Sequence, residues 1–271
     1  MRRRLDVEMV RRGVVATRTE AHLAIRSGSV LVAGRPAVKA ATLVGRDEPI
    51  ALFASPRPYV SRGGEKLEAA LDRFPVPVRG RLALDAGAST GGFTDCLLSR
   101  GAARVAAVDV GYGQLDWRLR EDPRVAVMER TNVRSLRSEG LPFVPQLVTA
   151  DLSFISLRVV LPALAAVASS EADFVLLVKP QFEAGREEVG KGGVVSDPDA
   201  WSRVLRSTAS ASLELGLAPV DLMVSPLLGP AGNAEFFLWA RRRRSPGRTD
   251  SAEDRIRMVI HEALELRAGG G

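Results

Sequence analysis

From Arg81 onward, short β-rich apolar runs alternate with helical patterns. RLALDA, RVAAVDV, RVAVMER, QLVTAD and DFVLLVK read as strands, with helices such as GGFTDCLLSR and SLRVVLPALAAVAS between them. Such alternation predicts βαβ units and a parallel sheet. A helix from Pro198 to Leu215 follows, then two further strands, Ala218 to Val224 and Glu235 to Ala240. Only a Pro/Gly-rich loop, 225–234, joins those two, so they are expected to pair antiparallel. The predicted fold class is therefore α/β: a Rossmann-like, seven-stranded sheet, mostly parallel with one antiparallel strand. An amphipathic helix, Ala252 to Arg267, closes the chain.

The first 60 residues carry a different pattern. Asp6 can cap a helix from Val7 to Arg12 that ends at Gly13, and Thr17 can cap a second from Arg18 to Ser27 that ends at Gly28. Alternation takes over from Ser29 to Val38, where a Gly-Arg-Pro turn interrupts a β-rich run and predicts a tight strand-turn-strand. The Pro-rich stretch Ser55 to Val60 favours an extended connector. The expected organisation is a small α+β domain over 1–60 and a large domain over 61–271.

Charge sharpens this division. The first 60 residues hold eleven Lys/Arg and five Asp/Glu, which accounts for the whole net charge of +6 and leaves the larger part neutral. A basic module ahead of a neutral one suits a protein whose first part grips a polyanion. Aromatic residues are few in the module, so shape and phosphate recognition of structured RNA fits better than base stacking along a single strand.

Other features exclude function classes. Cys96 is the single cysteine and cannot form an intramolecular disulfide, which favours a reducing cytoplasm. The N-terminus is basic but lacks an apolar h-region, so no secretory signal is expected. The longest nearly apolar run, Leu157 to Val167, contains Arg158 and Pro162 and falls short of the ~20 residues that span a bilayer. The expectation is a cytoplasmic protein that spans no membrane, and a monomer. With only His22 and His261, both in helical patterns, neither a zinc ligand set nor a Ser-His-Asp triad is supported.

The chemistry gathers around LALDAGASTGGFTD, Leu82 to Asp95. A dinucleotide fingerprint requires G-x-G-x-x-G, but from Gly87 the residues read Gly-Ala-Ser-Thr-Gly-Gly and the fingerprint fails at Ser89. A strand-turn-helix with small residues remains, a place where a ligand can approach the backbone. Asp109 ends the next strand, where an acidic side chain accepts hydrogen bonds from ribose hydroxyls of a dinucleotide or an adenosyl cofactor alike. Lys179 follows the apolar strand 174–178 at its C-terminal end, where ligands of open α/β sheets bind.

Read as D-x-G-x-x-x-G-G-[FW], Asp85 to Phe93 resembles the cofactor loop of the FtsJ-type ribose methyltransferases, with Thr90 where many members carry proline. Over nearly its whole length the sequence is similar to the TlyA family, ribosomal RNA 2'-O-methyltransferases historically labelled haemolysins. The residues that carry this are VSRGGEKL (60–67), LDAGASTGGFTD (84–95), DVGYGQL (109–115), ERTNVR (129–134), ADLSFIS (150–156), LVKPQFE (177–183) and GNAEFFLW (232–239). The front end, VRRG then TRTEAHLAIRSGSVLVAGRPAVK, resembles the alpha-L RNA-binding module named after the fourth protein of the small ribosomal subunit. That resemblance implies phosphate contact by Arg4, Arg18, Arg26 and Lys39.

The family resemblance implies methyl transfer from S-adenosyl-L-methionine to the ribose 2'-hydroxyl of a cytidine in ribosomal RNA, within the small subunit, the large subunit or both. It implies cofactor contacts from Asp85, Gly87, Ala88, Ser89, Thr90, Gly91, Gly92 and Phe93 of the turn, from Asp109 at the ribose and from Asn132 at the adenine edge. It also implies a Lys-Asp-Lys-Glu tetrad, which falls on Lys66, Asp151, Lys179 and Glu235. A 2'-hydroxyl is a poor nucleophile at neutral pH, so the enzyme must align it with the methyl group and assist loss of its proton. Lys179 is expected as base or hydroxyl-orienting group, Asp151 beside it, and Lys66 and Glu235 fixing the ribose and the network.

Plainer readings compete. Asp151 also reads as a cap for the helix starting near Ser156, Lys66 as a solvated lysine and Glu235 as an edge-strand charge. Asn132 reads equally as a turn former, and Arg241 to Arg244 as an RNA grip or a solvated charge run. A non-catalytic RNA-binding assembly factor is the alternative function, but it would normally show a broken tetrad or cofactor loop, and both are intact. A membrane-active haemolysin, the family's old label, lacks a span or a signal.

Overall fold

The computed structural model describes residues 2–26, 28–37, 39–52, 58–242 and 252–269. It divides into two compact units, Met1–Arg62 and Gly63–Gly271.

In the first unit, β1 (Arg3–Arg4) runs into α1 (Leu5–Arg11); α2 (Arg18–Arg26), β2 (Val30–Val32), β3 (Arg35–Pro36), β4 (Leu43–Val44) and β5 (Ile50–Leu52) follow. Leu5, Met9, Ala21, Ile25, Val30, Ala37 and Val44 form its core. The two helices occur as predicted, with one correction at the first. Antiparallel pairing of β1 with β4 and the Leu5 amide on the Thr42 carbonyl (2.7 Å) fix the chain early, so α1 starts at Leu5 and Asp6 lies inside it instead of capping it. Thr17 does cap α2, through Oγ1 to the Glu20 amide at 3.1 Å. Between β2 and β3 the turn sits on Ala33 and Gly34, both with positive φ, as the twist of a tight hairpin demands. Arg35 and Pro36 therefore belong to the strand and not to the turn. The predicted ends at Ser27 and Val38, and the first half of the Ser55–Val60 connector, lie outside the described residues.

The second unit opens with α3 (Arg62–Arg73), followed by β6 (Leu82–Ala86), α4 (Gly92–Ser99), β7 (Arg104–Val108), α5 (Trp117–Arg120) and β8 (Val125–Met128). Then come β9 (Leu147–Ala150), α6 (Leu157–Val167), β10 (Asp173–Val178), α7 (Pro180–Glu183), α8 (Pro198–Glu214), β11 (Leu217–Val224), β12 (Phe236–Arg242) and α9 (Ala252–Gly269). The seven strands lie in the order β11-β12-β10-β9-β6-β7-β8. All neighbours are parallel except β12, which runs antiparallel to both β10 and β11. β9 and β10 are buried at every position, as expected of strands covered by helices on both faces. No helix among the described residues is long and apolar enough to cross a membrane.

The order of strands positions the site. From β6 the chain steps outward to β7 and β8, then returns to β9 on the other side of β6. That reversal opens a crevice at the C-terminal ends of β6 and β9, the usual ligand position in an open α/β sheet. At the opposite end, Asp173 is 1% exposed and accepts hydrogen bonds from Trp239 Nε1 (2.9 Å), Arg241 Nε (2.8 Å) and Arg81 (2.7 Å). Arg242 donates to the Ala165 and Ala168 carbonyls. Arg241 therefore ties β12 to β10 and Arg242 ties the sheet to the end of α6; Arg243 and Arg244 lie outside the described residues.

Candidate active site at the sheet reversal

The turn after β6 is shaped by what it touches. Gly87 has φ +86°, and a Cβ there would stand 2.5 Å from the Asp151 carbonyl oxygen, on the loop after β9. Only glycine allows the two loops to meet so closely across the crevice. Gly91, at φ +100°, serves as the N-cap of α4 and lies against Leu115 and Leu119, which seats the 109–120 loop on the turn. Ser89 adopts φ +48° and donates its amide to Asp109 Oδ2 at 2.9 Å, while the Gly111 amide donates to Asp109 Oδ1 at 2.6 Å. The Thr90 carbonyl accepts from the Asp116 amide at 3.1 Å.

Asp85, at the end of β6, is fully buried beneath this turn. Its Oδ2 accepts the Thr94 hydroxyl at 2.7 Å, and its Oδ1 has no partner. Burial, with Asp151 and Asp109 adding repulsion against the Thr94 hydrogen bonds, pushes this carboxyl up to about 7.

The four tetrad positions form two ion pairs in the same crevice. Lys66, in the first half of α3, places Nζ 2.5 Å from Glu235 Oε2, with both side chains almost wholly buried. Lys179, at the end of β10, places Nζ 2.5 Å from Asp151 Oδ1 and donates to Ser153 Oγ at 3.1 Å. The Lys179–Asp151 contact is ionic, with the lysine's aligned hydrogen bond going to Ser153. The pairs meet because β10 and β12 are antiparallel with Val178 opposite Phe236, which puts Lys179 and Glu235 one step beyond, side by side. Two plainer readings are thereby displaced. The N-cap of α6 is Ser156, not Asp151. Glu235 precedes β12 instead of lying within it, and β12 is an inner strand, so an edge-protecting charge has no place there.

Not every sequence candidate faces the crevice. Phe93 is 3% exposed and stacks on Phe237 at 6.1 Å, so its ring is core and only its backbone belongs to the turn. Ala88 is buried and Gly92 is the first residue of α4. Asn132 caps a short 3-10 turn, accepting the Arg134 amide at 3.0 Å, which is the turn-forming reading.

Three residues that sequence reasoning passed over support the site. Glu183 accepts the Ser156 hydroxyl and the Leu157 amide, each at 2.5 Å, and so bolts the loop carrying Asp151 to the loop carrying Lys179. Its burial raises its pKa against those hydrogen bonds. Asn233, two residues before Glu235, accepts the Val195 amide and donates to the Gly193 carbonyl, fixing the approach to β12. Phe154 is 91% exposed at φ +64°, with its ring 5.2 Å from Phe182. A phenylalanine in the short segment just past the strand end was the readable signal in ADLSFIS; its exposure and its φ were not.

In the first unit, Arg4 and Arg18 are half-exposed but committed to a common acid. Arg4 Nε lies 3.0 Å from Asp6 Oδ1 and Arg18 NH2 2.7 Å from Asp6 Oδ2, with His22 Nε2 at 2.9 Å from the same oxygen. Arg12 holds Glu8 and the carbonyls of Glu48 and Gly45. Lys39 is exposed, without an ion-pair partner among the described residues. The side chain of Arg26 lies outside the described residues.

The description FtsJ-like methyltransferase matches residues 59–242. A Mycobacterium tuberculosis protein named 16S/23S rRNA (cytidine-2'-O)-methyltransferase TlyA is 51% identical over 96% of this chain and 98% of its own length. Hemolysin A of Brachyspira hyodysenteriae is 37% identical over 86% of this chain and 98% of its own. A solved structure from Streptococcus thermophilus, assigned to the hemolysins, superposes with a TM-score of 0.79 at 36% identity, covering 99% of this chain and 98% of that one. A strand order that places a glycine turn and two lysine-carboxylate pairs in one crevice thus accompanies full-length similarity, and the chain belongs to the FtsJ-like methyltransferases and, among them, to the TlyA family.

Proposed function

We propose that this protein transfers a methyl group from S-adenosylmethionine to the ribose 2'-hydroxyl of a cytidine in ribosomal RNA. The observation that carries this is the pairing of Lys179 with Asp151 and of Lys66 with Glu235 beside the glycine turn. Full-length likeness to a relative bearing that activity supports the choice of acceptor.

The residues fit the donor. Gly87 leaves backbone free where a Cβ would meet Asp151, and Asp109 has lone pairs left for a diol after accepting two amides. Three acidic side chains, Asp85, Asp109 and Asp151, converge on the turn and favour a cationic ligand. Asp85 and the 87–92 backbone would hold its methionine end and Asp109 its ribose. When bound, S-adenosylmethionine supplies a methyl group already activated on sulfonium.

The chain's own residues do the rest. Lys179 orients the 2'-hydroxyl through Nζ and assists loss of its proton, and Asp151 holds the lysine in place. Lys66 and Glu235, locked together, hold the ribose edge from the β12 side. Phe154 offers an exposed ring on which the acceptor base stacks once it leaves the RNA fold. The first unit, reading as an alpha-L module over about residues 1–60, binds RNA phosphates through Arg4, Arg18, Arg26 and Lys39. In this reading Arg4 and Arg18 present the free edges of guanidinium groups that Asp6 holds in place.

Primer-extension mapping of 2'-O-methylation on isolated small and large ribosomal subunits, before and after adding protein and cofactor, tests this. A new methylated cytidine is expected with the natural chain. Its rate should fall by about 10²–10⁴ in Lys179→Ala, the usual worth of proton transfer by a placed side chain. Methylation at an undiminished rate in that variant would remove Lys179 from the mechanism, and no modification on either subunit would remove the substrate assignment.

A further inference from the structure

Asp85 is a buried acid without a counter-charge. It is fully enclosed at the end of β6, its Oδ1 has no hydrogen-bond partner, and the donors that reach the carboxyl, the Thr94 hydroxyl on Oδ2 and the Thr94 backbone amide, are neutral. The ionising groups facing it are themselves carboxylates. Asp109 approaches from the end of β7 and Asp151 from the end of β9. Asp151 has its cation in Lys179, and Asp109 has two backbone amides, while α4 contributes Thr94, which does not ionise. An isolated carboxylate removed from water is unstable relative to its neutral acid, and like charges nearby disfavour ionisation further. The crevice therefore lacks one positive charge, at a point beneath the turn that would receive the cofactor.

We propose that Asp85 is a neutral carboxylic acid in the ligand-free protein, that it gives up its proton to solvent when the cationic methyl donor binds, and that this ionisation makes the site prefer the donor over its demethylated product. This rests on the reading that the turn holds S-adenosylmethionine. The donor carries one more positive charge than S-adenosylhomocysteine, so it stabilises the Asp85 carboxylate more, whichever of its cations lies nearer. Once the methyl group has left, that added stabilisation is gone. Asp85 then takes back a proton, and the product is held less firmly. Charge balances at each stage: one proton leaves the protein as the donor enters, and one returns as the product's charge falls. The carboxyl pKa of about 7 places this exchange in the neutral range.

Calorimetric titration of the full chain tests it. S-adenosylmethionine and S-adenosylhomocysteine are each titrated between pH 5.5 and 7.5, below the ~8 of an α-amino group, in two buffers of different ionisation heat. Donor affinity is expected to rise with pH by up to about tenfold per unit in the lower part of the range, with release approaching one proton per cofactor. The product should show a smaller rise and a smaller release. In Asp85→Asn the donor's release should vanish and the ratio of donor to product affinity should shrink. Donor binding without proton release, equal release for both ligands, or full release in Asp85→Asn each overturns the proposal while leaving the cofactor reading intact. Failure of both ligands to bind at any pH sinks the cofactor reading and the proposal with it. Should Asp85→Asn not fold, the comparison of donor with product on the natural chain decides alone.

Discussion

Lys66 Nζ and Glu235 Oε2 lie 2.5 Å apart, joined across 169 positions of sequence, with side chains 9% and 1% exposed. A pair so enclosed is costly to split, because the survivor is a buried charge without a partner. Lys66→Ala or Glu235→Ala is expected to destabilise the second unit by roughly 3–5 kcal/mol. The double variant Lys66→Met, Glu235→Leu should recover much of that stability and no methylation. Urea unfolding of the three variants measures this; a double variant no more stable than either single one would show that the pair is not a coupled buried unit.

Phe154 presents a different balance. Its exposed ring contributes little to the core, and φ +64° strains the backbone of a residue with a side chain. Phe154→Ala should leave folding and cofactor affinity nearly unchanged but lower kcat/KM on ribosomal RNA, by the roughly 1–3 kcal/mol that stacking on a base is worth. Phe154→Gly should melt no lower than the natural protein while losing the same activity. Steady-state kinetics beside thermal melting separates the two effects, and a Phe154→Ala enzyme with natural kcat/KM would rule out the stacking role.

The arginines and lysine of the first unit should divide by what they hold. Arg12 binds Glu8 and two backbone carbonyls, so Arg12→Ala is expected to weaken the fold. Lys39 is exposed and has no ion-pair partner among the described residues, so Lys39→Ala should preserve the fold, weaken RNA binding and reduce the salt slope of log K by about one. Filter binding across a salt series gives the slope. An unaltered slope in Lys39→Ala would take that lysine out of the interface.

Acid should act on the first unit through Asp6 and Glu8. Hydrogen bonds from Arg4, then Arg18 and His22, hold Asp6 far below the ordinary carboxylate range, and those from Arg11 and Arg12 lower Glu8 to about 2. Folded-state values below the unfolded ~4 mean stability that is present above that pH and is lost as pH falls through the folded values. Asp85 has the opposite sign: raised to about 7, it favours the folded state most below ~4 and loses that contribution as pH rises toward 7. All three tryptophans, Trp117, Trp201 and Trp239, lie in the second unit. Helical circular dichroism from α1 and α2 should therefore decline between about pH 4 and 2 ahead of any change in tryptophan emission. Simultaneous loss of both signals would contradict a separate acid response of the first unit.

Much of the fold was written locally. Apolar runs of strand length mark β6 to β10, a loop too short for a crossover forces β11 and β12 antiparallel, and Asp-x-Gly-x-x-x-Gly-Gly marks a backbone that needs positive φ and room for a ligand. Periodicity and glycine sterics act over a few residues, so the chain alone determines them. The tetrad was readable only as four residues that resemble a family's pattern. Their assembly into Lys66–Glu235 and Lys179–Asp151 depends on which strand ends the sheet order brings together. The same non-local cause sends Phe93 into the core, commits Arg4 and Arg18 to Asp6, turns Glu183 into a bolt between two loops and leaves Asp85 buried without a cation. Burial and partner choice are properties of the assembled chain, because each is set by residues far away in sequence, and in this protein they decide which charges are free to act.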